Sequence, residues 1–82
     1  MSNSTDFVSQ ERDRLFDRYQ KATEALHAAK SKFQLESGLF VSRPSASNYQ
    51  RLTDAAIAYQ DATNEFNEAE EALISWDKAN PL

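Results

Sequence analysis

Val8, Leu15, Ala22 and Ala29 stand seven residues apart, and Tyr19, Leu26, Phe33 and Phe40 repeat the interval four positions further on. On a helix with 3.6 residues per turn, two heptad series offset by four merge into a single apolar stripe. The second half of the chain carries the same device, with Leu52, Tyr59, Phe66 and Leu73 in one series and Ala55, Ala62, Ala69 and Trp76 in the other. Two long amphipathic helices are therefore expected. Gly38 is the only glycine, and Pro44 and Pro81 are the only prolines, too few for the many tight turns of an all-β fold.

Short polar side chains near Asp6 suit the start of a helix, and Gly38 suits its end through the left-handed conformation glycine adopts cheaply. Ser47 followed by Gln50 matches a capping box, and Asn80-Pro81 marks a stop, because proline disfavours helical geometry in the residue before it. The expected layout is one all-α domain over residues 1–82. Helix 1 spans about 6–37, a turn about 38–47, and helix 2 about 48–78.

Each stripe pairs an alanine-rich series with a series of larger residues, which lets a bulky side chain on one helix sit over a small one opposite. An antiparallel hairpin with this turn has facing residue numbers that sum to about 84. Leu15 is then near Ala69, Ala29 near Ala55 and Phe33 near Leu52. Charge supports the direction. Seven basic and six acidic residues give positions 1–43 a formal charge of +1, whereas two basic and seven acidic residues give positions 44–82 a charge of -5. Antiparallel pairing brings Arg12, Arg14 and Arg18 towards Glu65, Glu68, Glu70 and Glu71, although exposed ion pairs contribute only about 0 to 1 kcal/mol each.

A domain of 82 residues buries little surface and commonly needs a staple. There is no cysteine for a disulfide, and His27 is the only histidine, so no structural zinc site or other cofactor is expected. Oligomerisation is the remaining route. The apolar residues also spread beyond a single seam: Phe7, Phe16 and Ala25 flank the first stripe, and Tyr49, Ala56, Ala58, Ile74 and Trp76 flank the second. These stripes favour a homodimer in which two hairpins form a four-helix bundle, with Phe7, Phe16, Tyr49, Ile74 and Trp76 as candidate interface residues. The turn offers a second apolar feature, Leu39-Phe40-Val41 beside Arg43, which either caps the bundle or forms a tip that binds another protein.

Residues for catalysis are sparse. Near His27 only Glu24 stands out as a surface partner, and the serines at 2, 4, 9, 42, 45 and 47 sit where caps and turns use them. Glu65, Glu68, Glu70 and Glu71 lack the Glu-x-x-His pattern of helical carboxylate metal sites and read as a solvated face. The net charge of -4 disfavours nucleic acid as a direct partner, and no apolar run is long enough for a membrane span. With no secretory signal pattern at the start, the expected location is cytoplasmic. Pro44-Ser45 with Tyr49-Gln50 superficially resembles type III secretion needle subunits, and the hairpin resembles WXG-type secreted proteins. The second needle proline and the Trp-x-Gly turn are both missing, so no family is assigned.

The functional expectation is a noncatalytic, homodimeric helical regulator or inhibitor that binds another protein, of the kind represented by phage or bacterial anti-activators. The alternative is a secretion chaperone or helical structural subunit, and a lesser one is an acidic DNA mimic.

Overall fold

The computed structural model describes residues 3–81, with side chains from residue 7 onward. Two helices, α1 (Asn3–Ser42) and α2 (Ala46–Ala79), pack against each other as an antiparallel hairpin, and there is no strand among the described residues. The rod measures 64 × 18 × 14 Å. Its radius of gyration is 18.4 Å, against about 12 Å for a compact domain of this length.

Both ends of the expected turn move. Helix α1 is already formed at Asn3, ahead of Asp6, and it runs through Gly38 to Ser42 instead of stopping near Ser37. Gly38 keeps a negative φ, and one helical glycine costs only about 1 kcal/mol relative to alanine, too little to end a helix that continues into Leu39, Phe40 and Val41. Pro44 is what stops it, by disfavouring the helical conformation at Arg43, although the Arg43 amide still donates to the Leu39 carbonyl at 2.8 Å. Three residues, Arg43, Pro44 and Ser45, make the turn.

The cap of α2 is Ser45, with extended backbone (φ -159°, ψ 161°), and not Ser47. Its Oγ accepts from the Asn48 amide at 3.0 Å, while Asn48 Nδ2 donates to the Arg43 carbonyl at 2.8 Å and ties the two helix ends together. Gln50, expected to close a capping box, instead donates to Asp54 Oδ1 at 2.9 Å. At the far end the Asn80 amide and Nδ2 both donate to the Trp76 carbonyl at 2.9 Å, one residue before Pro81.

A Cβ built on Gly38 meets nothing within 4 Å. Gly38→Ala should therefore stabilise the hairpin by about 0.4 to 1 kcal/mol, since alanine loses less backbone freedom on folding. A urea titration measures this directly, and an unchanged midpoint would mean that Gly38 is not helical in solution.

Packing departs from the expected bulky-over-small arrangement. The buried residues Ala22, Ala55, Ala69 and Glu36 all belong to the first heptad series of α1 or the alanine series of α2, and no large side chain among the described residues is fully buried. Each helix presents three adjacent rows, and the small row is central. On one flank lie Arg18, Ala25 and Lys32 of α1 with Arg51, Ala58 and Glu65 of α2; on the other lie Tyr19, Leu26 and Phe33 with Leu52, Tyr59 and Phe66. Ala22, Ala29, Ala55, Ala62 and Ala69 put small groups at the centre of the contact, with Leu15 and the buried Glu36 in the same row. Large residues therefore meet each other along one flank: Tyr19 and Phe66 have ring centroids 5.4 Å apart, and Phe33 and Tyr59 are 5.6 Å apart. Phe33 meets the ring of Tyr59, further along α2 than Leu52, while the Tyr19–Phe66 and Arg18–Glu65 contacts join residue numbers that sum to 85 and 83, close to the expected 84.

Candidate protein-binding surface

The two flanks of the hairpin have opposite chemistry. On the charged flank Arg18 donates to Glu65 through Nε at 2.9 Å and Nη2 at 3.0 Å, with Glu68 at 3.7 Å. The hydrogen bonds that Arg18 donates to the Glu65 carboxylate, with the charges of Glu65 and Glu68, raise the Arg18 pKa, and the same bonds hold Glu65 below its ordinary value. Near the turn end Arg51 Nε donates to Glu36 Oε2 at 3.0 Å. Glu36 occupies a position of the Val8, Leu15, Ala22, Ala29 series and is only 4% exposed, and its Oε1 has no hydrogen-bond partner among the described residues. It borders a hollow of about 210 Å³ shared with Lys32, Arg51, Asp54, Ala55 and Ala58. Sequence reading passed over this carboxylate, although its place in an apolar heptad series was the available signal.

The opposite flank carries rings and hydroxyls. Besides Tyr19–Phe66 and Phe33–Tyr59, Phe40 meets Tyr49 across the helices with ring centroids 5.6 Å apart, and within α1 Phe16 meets Tyr19 edge-on at 6.5 Å. Thr23 donates to the Tyr19 carbonyl at 2.9 Å and Thr63 to the Tyr59 carbonyl at 2.9 Å, so both hydroxyl donors are satisfied within their own helices. A hollow of about 320 Å³ opens there between Phe33, Ala56, Tyr59, Gln60, Thr63 and Asn64.

The residues expected to form a dimer interface do not form one patch. Phe16 and Tyr49 border the aromatic flank near opposite ends of the rod, where they contact Tyr19 and Phe40. Phe7 is 67% exposed and borders a shallow hollow with Gln10, Glu11 and Arg14. Trp76 is half-buried at the open end beside Val8 and Arg12, and Ile74 is exposed. Of the expected binding tip, Leu39 and Phe40 are half-buried, while Arg43 is exposed and Val41 is 75% exposed. The tip thus divides its roles, with Phe40 covering the turn against Tyr49 and Val41 facing outward.

His27 is exposed, and no group of three or more histidines, cysteines, aspartates or glutamates among the described residues is placed to hold a metal ion. No helix among them is long and apolar enough to cross a membrane. No family model, curated protein or solved structure matches this chain.

Proposed function

We propose that this chain is a noncatalytic helical regulator that acts by binding another protein, and that it works as a homodimer of hairpins. The observation carrying this reading is the exposure of Phe7, Phe16, Leu35, Val41, Tyr49, Ile57 and Ile74, with no large side chain fully buried among the described residues. Apolar groups distributed in this way gain from a macromolecular surface, each large side chain contributing about 1.5 to 3 kcal/mol when covered. The turn end is the contact site for the regulated protein: Leu35 and Leu39 lie one helical turn apart, Val41 faces outward and Arg43 adds a cation.

Val41→Lys tests the site, because lysine is a good helix former and suits the last turn of a helix. Capture from the cells that make the protein, followed by identification, should recover one partner with the wild type and none with Val41→Lys, while circular dichroism of the two stays the same. Equal capture by both would place the contact elsewhere, and a purified chain that turns over a substrate would sink the noncatalytic reading.

A further inference from the structure

We infer that the aromatic flank, centred on Tyr19, Phe33, Tyr59 and Phe66, is covered by the same flank of a second copy of this chain. This deepens, and rests on, the homodimer in the reading above. Area is the first argument. A monomer of 9.3 kDa exposes about 5,000 Å² when compact, whereas this chain exposes 6233 Å². The excess of roughly 1,200 Å² per chain follows from the elongation of the rod, and packing two rods side by side along a flank is the arrangement that reduces it.

Composition is the second argument. Among the described residues, the ion pairs that cross between the helices are Arg18 with Glu65 and Glu68 and Arg51 with Glu36, and all three turn to the other flank, Glu36 from its place in the central row. What remains is a row of half-buried rings and leucines bordered by Thr23, Ala56 and Thr63, with the exposed Lys30 and Glu70 further along the bordering rows. Aromatic residues enriched and charge depleted is the pattern of an interface core. Because the Thr23 and Thr63 hydroxyls already donate within their helices, covering them strands no donor. The apolar hollow beside Phe33 and Tyr59 is large enough for a ring, and the exposed Phe16 at the edge of the same flank supplies one from the second copy. A face that carries both the hollow and the ring that fills it is self-complementary, as a two-fold interface requires.

The test is sedimentation equilibrium from low to high micromolar concentration on the wild type and three variants. Thr63→Lys and Ala56→Lys place a charge on the aromatic flank, and Ile57→Lys places one on the outer surface; all three substitute a good helix former. The wild type and Ile57→Lys should have the mass of two chains, and both flank variants should associate about a hundredfold or more weakly, because each dimer would bury two unpaired ammonium groups. Circular dichroism checks that each variant stays helical, with Ala56→Lys standing in if Thr63→Lys unfolds. A two-chain mass that survives both flank variants would overturn the assigned face and leave the homodimer standing. A wild type of one-chain mass throughout would overturn both, including the case in which only a different protein covers this flank.

Discussion

Ala69→Leu is expected to destabilise the hairpin more than any other single alanine substitution, by about 1 to 3 kcal/mol. Ala69, in the central row, is 1% exposed, less than any other buried residue described. Three extra carbons there either push the helices apart or force a strained rotamer, and separation also breaks the Tyr19–Phe66 contact beside it. For a domain of this size the loss corresponds to a melting temperature lower by roughly 5 to 20 °C. Ala28→Leu, on an exposed position of α1, adds the same atoms without meeting α2 and should change the melting temperature little. Calorimetry on the two variants decides the matter: equal shifts would mean that the alanine row is not the contact.

Arg51→Ala should cost more than Glu36→Ala, although both remove the same ion pair. Without the guanidinium, the Glu36 carboxylate keeps its burial and loses its donor, a penalty of about 1 to 3 kcal/mol. Lys32 borders the same hollow, so Lys32→Ala in addition should deepen the loss. Glu36→Ala instead removes the buried charge and its orphan oxygen together, and leaves the residue type already present at Ala22 and Ala29 of that row. Arg51 is mostly exposed and returns to water, so the expected change is near zero or stabilising. Urea titrations of the two single variants and the double variant supply the comparison. If Glu36→Ala proved the more harmful, the pair would be a net source of stability and the orphan oxygen would be satisfied in solution.

Two helices, their antiparallel pairing and the stop at Pro81 were legible because each has a local cause. Heptad spacing defines a stripe wherever a helix forms, and proline restricts its predecessor whatever surrounds it. The turn was harder to read. Gly38 and the Ser47–Gln50 pair are valid local signals, but they compete with Pro44 and Ser45, and the balance depends on Phe40 reaching Tyr49 across the hairpin. The turn that results, Arg43 to Ser45, is shorter than the signals at Gly38 and Ser47 imply.

The candidate site divides in the same way. Periodicity identified apolar groups in excess of one seam, and the sequence by itself determined that there are two helices with more apolar surface than they share. Which residues line one flank was decided only by tertiary packing. The rotation of each helix about its own axis is free until the two meet, and contact between alanines gives the closest approach of the axes. That contact buries Ala22, Ala55 and Ala69, sends the crossing ion pairs to one side and leaves Tyr19, Phe33, Tyr59 and Phe66 half-covered on the other.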